Sequence, residues 1–333
     1  MRFFKGLSPK TVGLAAAFVT VVIWTAFIVI ARASADPSRH PTLNPFDIAL
    51  ARLLGAGLVL LPWAWWLVRK HKLKGSLWGL SPLPLRVTAT VGLFGGLLYA
   101  PLAYSGFGFA PAAHASVLMP GSLPLWTALL AAVVLHDRLT PARILGLALI
   151  MAGDLLVGGA SLLRALDGGE VWKGDLLFMT AAFCWSVYSV LARRHALDAV
   201  KATMAITAFA FVAYVPSYLL LLALDVVPGL FLSAPLGDIV FQMVFQGLGS
   251  VVISGIAFTK MIQHYGPVRS TMITALVPGL SALAAVLFLG EPLHWNLLAG
   301  LALVTGGIVF GVRRAVALGA SATLAPSSRV NTP

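Results

Sequence analysis

The chain has 333 residues, of which 59% are hydrophobic and only 10% are charged. Soluble domains are closer to half apolar and a quarter charged, so this composition excludes an ordinary soluble fold and indicates a polytopic membrane protein. The net charge of +12 does not indicate a nucleic-acid partner. The basic residues lie in short loops between apolar stretches, where they set membrane orientation.

Ten apolar segments predict an all-α membrane protein with ten transmembrane helices. A helical span needs about 20 residues. The segments that reach this length are 11–32, 46–68, 87–109, 112–135, 142–161, 174–193, 201–224, 238–262, 267–289 and 295–313. The last residues, 315–333, are small and polar, which predicts a disordered tail.

The charges of the loops predict that both termini lie in the cytoplasm. With the N-terminus inside, the cytoplasmic loops collect most of the lysines and arginines. The opposite loops hold only Arg32, Arg39, Arg164 and Lys173. Because Lys and Arg are enriched in cytoplasmic loops, we expect a multi-pass protein of the bacterial inner (plasma) membrane with a cytoplasmic tail.

Two stretches of the chain repeat each other at a constant offset of 154 residues, which aligns Pro124 with Pro278 and Asp137 with Glu291. The match extends to the second and third segments. The first segment matches the sixth at an offset of 161, which aligns Trp24 with Trp185 and Arg32 with Arg193. The sequence therefore predicts two repeats of five spans, at 1–162 and 163–314, followed by the tail at 315–333.

Five spans are an odd number, so the second repeat must be inverted relative to the first. Internal repeats of this kind usually place a substrate site at the interface between the halves. Transport is therefore the leading hypothesis before any single residue is considered.

Three motifs make the chain resemble the EamA-type branch of the drug/metabolite transporter superfamily. They are ALARLLGAGLVLLP in the second segment, LHDRLTPARILGLALIMAG after the fourth and LGEPLHWNLLAGLALVTGG after the ninth. Together with the repeat, the resemblance covers nearly the whole chain. The turns after the fourth and ninth spans usually carry a glutamate in that family, whereas the first copy here has Asp137 after His136.

The resemblance implies a helical bundle around a central cavity. Spans one to four and six to nine would line the cavity, and spans five and ten would be peripheral. The family also implies movement of small metabolites, often of amino acids outward. The motifs are specific for the fold and weak for the substrate.

Two ionisable residues lie inside predicted spans, where a charge costs about 2.5–3.5 kcal/mol on insertion scales. Arg52 is the first; its planar fork suits a substrate carboxylate. Asp154 is the second and is interpreted as its counter-ion or as a proton site. The alternatives are a structural ion pair between them, or Arg52 reaching toward the interface. Both residues are predicted at a similar depth, so pairing requires only that the second and fifth spans are neighbours.

Aromatic residues occupy equivalent places near the middle of the first and sixth segments. Trp24 and Trp185 would form opposing walls able to stack on a planar or cationic group. Tyr188 follows Trp185 by three residues and shares its face, and Tyr99 lies in the third segment. Filling of space between helices is the competing interpretation for all four.

Polar residues of the eighth segment are further candidates for the cavity lining. Gln246 and Ser250 lie one turn apart, although helix packing explains Ser250 equally well. His114, at the outer end of the fourth segment, is interpreted as a gating residue or as an interfacial histidine that binds water. Asp47 is predicted to cap the second span.

No catalytic motif or metal-ligating cluster is recognisable, so an enzyme is not predicted and no cofactor or metal is expected. The expected partners are a small-molecule substrate and membrane lipid, with protons as a candidate coupling ion and a homodimer as a candidate assembly. The predicted function is export of amino acids or related metabolites by alternating access. Uptake of a vitamin or another planar solute such as riboflavin is the alternative, and a lipid-handling or non-transporting component is the rival from another class.

Overall fold

A computed structural model describes residues 9–323 apart from 167, 275 and 293, and this part of the chain is α-helical without a β-strand. Ten long helices follow one another, some of them interrupted by wider turns. They are α1 (Pro9–Ala35), α2 (Pro45–Lys70), α3 (Leu85–Phe109), α4 (Ala112–Val134), α5 (Pro141–Ala165), α6 (Val171–Arg194), α7 (Ala199–Ala223), α8 (Leu236–Tyr265), α9 (Pro267–Leu289) and α10 (Trp295–Thr323).

Helices α1 to α9 each contain a stretch that is long and apolar enough to cross a membrane. In α10 the described apolar segment, Trp295–Phe310, is shorter. The protein is thus an all-α, multi-pass membrane protein, as the composition predicts. The tenth crossing and the inverted orientation of the second repeat stay predictions. Of the tail that the sequence predicts to be disordered, 315–333, residues 315–323 continue α10 as helix, and 324–333 lie outside the described residues.

Asn44 and Asp47 start α2 through a capping box, because each side chain accepts a hydrogen bond from the other residue's backbone N–H. Such reciprocal bonds satisfy donors that a helix start otherwise leaves free. The Tyr218 hydroxyl of α7 donates to the second oxygen of Asp47. Asp47 is therefore a cap, as the sequence predicts, and it also ties α2 to α7.

Equivalent helices of the two repeats pack in the same pattern. α1 packs against α8 as α6 packs against α3, and α2 packs against α8 as α7 packs against α3. Three pairs of equivalent helices, α2 with α7, α4 with α9 and α5 with α10, also pack against each other. The packing therefore follows the duplication seen in the sequence.

The contact between α5 and α10 is made by glycines that the repeat aligns. A Cβ added to Gly153 would lie 2.7 Å from the Gly300 carbonyl oxygen, and one added to Gly307 would lie 2.5 Å from that of Gly146. Small residues allow two helix backbones to approach this closely. The two helices form a peripheral pair, in agreement with the arrangement that the resemblance implies.

Wide, π-helical turns interrupt α3 at Leu93–Leu98 and α8 at Met243–Ile253. The two interruptions overlap at the repeat offset of 154. Further wide turns lie at Val117–Gly121 of α4 and Ala285–Leu289 of α9. Turns of this type disturb the regular hydrogen-bond ladder and are frequent at functional sites. The wide turn of α8 packs against α2, and the wide turn of α3 packs against α6 and α7.

Candidate functional site

Arg52 on α2 is buried, with 6% of its surface exposed, at the level of the wide turn of α8. Its Nη1 donates to the Ser250 hydroxyl at 3.1 Å and to the Tyr104 hydroxyl at 3.3 Å. The Arg52 Cζ lies 5.9 Å from the centre of the Tyr99 ring. The guanidinium is therefore held by neutral groups from two helices, α3 and α8.

One further hydrogen bond extends this cluster from Tyr104 to Gln246. The Tyr104 hydroxyl donates to Gln246 Oε1 at 2.9 Å, and both side chains are fully buried. Within the described part of the chain, the Gln246 Nε2 donor has no hydrogen-bond partner. A buried donor without a partner is costly in a protein interior, so this amide is available to a ligand.

Arg52 and Asp154 do not pair, and no carboxylate of the described residues forms a salt bridge with Arg52. Their similar depth was compatible with a pair, but α5 packs against α10, α6 and the wide turn of α4 rather than against α2. Asp154 is 5% exposed, and neither carboxylate oxygen has a hydrogen-bond partner in the described residues.

Aromatic side chains lie beside this polar cluster. The ring centres of Trp24 and Trp185 are 5.8 Å apart in an edge-to-face arrangement, so the repeat-related pair does meet in one central space. The Trp185 ring also lies 4.9 Å from Tyr99 and 5.2 Å from Tyr188. Phe258 of α8 completes the group, 4.9 Å from Trp24.

Two small cavities of about 20 Å3 each meet at Trp185. The first has Arg52 and Ser250 in its wall together with Tyr188, Thr207 and the α3 glycines. The second is apolar and is lined by Trp24, Phe27, Ile28, Tyr99, Met119, Pro120, Leu123, Trp185 and Val277. A cavity of this size holds about one water molecule, so the centre of the bundle is nearly closed.

Larger cavities open at the two ends of the bundle. One of about 680 Å3 lies at the predicted cytoplasmic face, between the α4–α5 turn, the end of α6 and the start of α9. The other, of about 300 Å3, lies at the predicted outer face beside Arg32 and Glu291. The predicted cytoplasmic end is therefore the more open one in this conformation.

His114 lies away from the central cluster, at the start of α4. Its Nδ1 is 2.9 Å from Asp175 Oδ1 at the start of α6. The sequence offered a gate or a water-bound histidine. The structure shows a contact between two helix starts, and a gating role of His114 stays a prediction. Seven of the predicted site residues thus lie in one cluster: Arg52, Trp24, Trp185, Tyr188, Tyr99, Gln246 and Ser250. Asp154 and His114 lie apart from this cluster.

Sequence reasoning did not select Phe258 or Ser254 as site residues. The Trp24 Nε1 donates to the Ser254 hydroxyl at 3.3 Å, and Phe258 packs on both tryptophans. Both follow Ser250 at helical spacings of four residues, which places all three on one face of α8. This spacing was the signal that could have found them.

The bundle, its duplicated packing and a buried polar cluster between the halves are typical of a membrane transporter. The model of the EamA-like transporter family matches residues 11–159 and 172–313. The chain belongs to this family.

Relatives of this chain are named as transporters. The Bacillus subtilis "Uncharacterized transporter YyaM" is 24% identical over 67% of this chain and 70% of its own length. The "Aromatic amino acid exporter YddG" of Ancylobacter novellus is 29% identical over 66% of this chain and 78% of its own. A solved crystal structure matches 93% of this chain and 99% of its own, with a TM-score of 0.61 and 25% identity.

Proposed function

We propose that the protein is a secondary transporter of the inner membrane that exports amino acids or related carboxylate-bearing metabolites by alternating access. The observation that carries the proposal is the buried Arg52, which has only neutral partners among the described residues. A buried cation is normally paired, and a substrate carboxylate would supply the missing anion while it is carried.

The rest of the site suits a substrate with a carboxylate at one end and an apolar or aromatic group at the other. The Ser250 hydroxyl and the unbonded Nε2 of Gln246 offer hydrogen bonds beside Arg52. The apolar cavity lined by Trp24 and Tyr99 reaches the polar one at Trp185. Aromatic rings stack favourably on planar groups. The name of the Ancylobacter novellus relative, an aromatic amino acid exporter, favours the same substrate class.

Uptake of a planar vitamin is the alternative that the aromatic cavity favours. Such a solute would depend on Trp24 and Trp185 and not on the charge of Arg52. Protons are the coupling ion in this proposal, with Asp154 as their carrier, because an intramembrane carboxylate without a partner is a functional candidate by default. Both termini lie in the cytoplasm in this proposal.

Substitution of Arg52 tests the function. Cells that overproduce the Arg52→Gln variant should release at least about tenfold less of the exported amino acids than wild type, because one charged hydrogen-bonded contact is worth more than 1.4 kcal/mol. Extracellular metabolites are measured by mass spectrometry. Arg69→Gln is the matched control, since Arg69 is an exposed cation at the end of the same helix. Normal export by a well-folded Arg52→Gln variant would refute the carboxylate site.

A further inference from the structure

Two ion pairs related by the repeat connect the halves of the molecule at opposite ends of the bundle. At the predicted outer face, Arg32 Nε lies 3.0 Å from Glu291 Oε1. At the predicted cytoplasmic face, Arg193 Nη1 lies 2.7 Å from Asp137 Oδ2. The arginines are equivalent at the offset of 161 and the carboxylates at 154. Each pair joins the arginine of one repeat to the carboxylate of the other.

The two carboxylates are presented by the same turn. The Asp137 N–H donates to the Ala131 carbonyl at 3.2 Å, and the Glu291 N–H donates to the equivalent Ala285 carbonyl at 3.4 Å. The preceding residue is left-handed in both copies, with φ of 55° at His136 and 72° at Gly290. The local geometry is therefore shared, and any difference between the pairs comes from their surroundings.

The outer pair, Arg32 and Glu291, is largely shielded from solvent and is bonded to neighbouring helices. The side chains of Arg32 and Glu291 are only 14% and 13% exposed. Arg32 Nη1 also donates to the Phe107 carbonyl at 2.6 Å. The Glu291 carboxylate accepts the backbone N–H groups of Ala112 and Ala113 at 3.1 and 3.3 Å. Glu291 thereby fastens the end of α1 to the start of α4.

The cytoplasmic pair, Arg193 and Asp137, is more exposed to solvent. Arg193 and Asp137 are 44% and 25% exposed. The residues equivalent to Ala112 and Ala113 are Gly266 and Pro267, and the Gly266 N–H donates within its own turn to the Ile262 carbonyl. Asp137 and Gly266 both line the cavity of about 680 Å3. The start of α9 is therefore not fastened to Asp137 in this conformation.

We propose that the carboxylates of the two pairs, Glu291 and Asp137, are alternating latches on the starts of α4 and α9, a role that rests on the alternating access of the proposed function. The outer latch is closed here and stabilises the state that opens to the cytoplasm. In the opposite state the cytoplasmic cavity closes, Asp137 approaches the start of α9, and Glu291 releases the start of α4.

The proposal predicts opposite effects for the two carboxylates. A contact that exists in only one of two states shifts their equilibrium when it is removed. Loss of the Glu291 charge weakens the state seen here and favours opening to the outside. The Arg193–Asp137 ion pair is formed here and, in the proposal, stays formed in both states. Loss of the Asp137 charge therefore removes only the contact that Asp137 makes with the start of α9 in the opposite state, and it disfavours that opening. Two purely structural ion pairs would not show this change of sign.

A cysteine reporter measures the direction of the shift. Cys184 is the only cysteine of the chain, so Cys184→Ser combined with Ile28→Cys gives a single reporter. Ile28 lies one turn before Arg32, is 1% exposed and lines the apolar central cavity. A membrane-impermeant maleimide added to intact cells reaches this position only when the outer end opens.

Glu291→Gln should raise the labelling rate at the reporter about fivefold, which corresponds to the loss of roughly 1 kcal/mol. Asp137→Asn should lower it below the parent rate. Glu170→Gln is the matched control, because its pair with Lys173 is exposed at the same face and should leave the rate unchanged. Labelling in denaturant checks that equal amounts of protein are compared.

Equal or same-direction shifts for Glu291→Gln and Asp137→Asn would overturn the latches. If Glu291→Gln does not fold, the sign of the Asp137→Asn effect decides alone, because that pair is exposed. A reporter that is never labelled from outside, in the parent or in any variant, would contradict alternating access itself. Export by the Arg52 variants is measured separately and does not enter this test.

Discussion

Arg52 has more donors than the protein uses. Both of its hydrogen bonds involve Nη1, whereas a guanidinium carries five N–H donors in a fixed fork. Within the described residues, the remainder of the fork meets no carboxylate. The geometry that leaves a bidentate face free is the one that recognises a carboxylate best, which is why a lysine would not be an equivalent residue here.

Asp154 is a buried carboxyl side chain, and neither of its oxygens has a hydrogen-bond partner in the described residues. We expect Asp154→Asn, which keeps the shape and removes the titrating group, to abolish accumulation driven by a pH gradient while exchange at equal pH continues. Counterflow of labelled phenylalanine in proteoliposomes separates the two activities. Asp225→Asn is the control, since Asp225 is exposed in a loop. Undiminished gradient-driven accumulation by Asp154→Asn would exclude this residue as the proton carrier.

The aromatic group shows how single residues serve both cavities. Trp185 lines the polar cavity and the apolar one, and its Nε1 has no hydrogen-bond partner among the described residues. Trp24, in contrast, is held by Ser254. The two tryptophans are equivalent in the repeat but differ in their hydrogen bonding. Because Trp185 lines both cavities, a substrate would contact it from two sides.

At the scale of elements, the pair α5–α10 depends on the absence of side chains at the crossing. Gly307→Ala should lower the Tm by about 5 °C, because its Cβ would meet the Gly146 backbone at 2.5 Å and overpacking costs about 1–3 kcal/mol. Thermal unfolding in detergent measures the change. Gly306→Ala on the same helix has open space around the new Cβ and should leave the Tm nearly unchanged. Equal effects of both substitutions would show that the close approach contributes nothing.

The sequence predicts the helices well because apolar length alone decides whether a segment can span a membrane. The predicted segment 238–262, for example, corresponds to Leu236–Tyr265 of α8. The repeat offset of 154 residues also aligns Gly146 with Gly300 and Gly153 with Gly307, the glycines at which α5 and α10 meet. These features are written along the chain and need no knowledge of how the helices are rotated.

Contacts between helices were harder to predict. The bond from Tyr104 to Gln246 and the contact between His114 and Asp175 depend on helix rotation and tilt. Helices that are apolar on most sides carry little information about either. The similar predicted depth of Arg52 and Asp154 in the membrane is compatible with an ion pair, but it does not show whether their helices are neighbours.

For the whole molecule, the loop charges make orientation a direct test. Reporter fusions after Arg86 and after Arg314 should be active on the cytoplasmic side, and a fusion within 225–238 should be external, because Lys and Arg are retained inside. Alkaline phosphatase and green fluorescent protein report the two sides. An external C-terminus would contradict the inverted repeat and, with it, the odd number of spans in each unit.

The packing pattern has a consequence for how such a chain comes to exist. Every described long helix packs most extensively against helices of the other repeat, as α1 does against α8 and α3 against α6. A five-helix unit made alone would therefore have no interior of its own. If the second repeat is inverted as the loop charges predict, each unit corresponds to one subunit of an antiparallel dimer, and the fusion of two copies into one polypeptide supplies each half with its partner in equal amount.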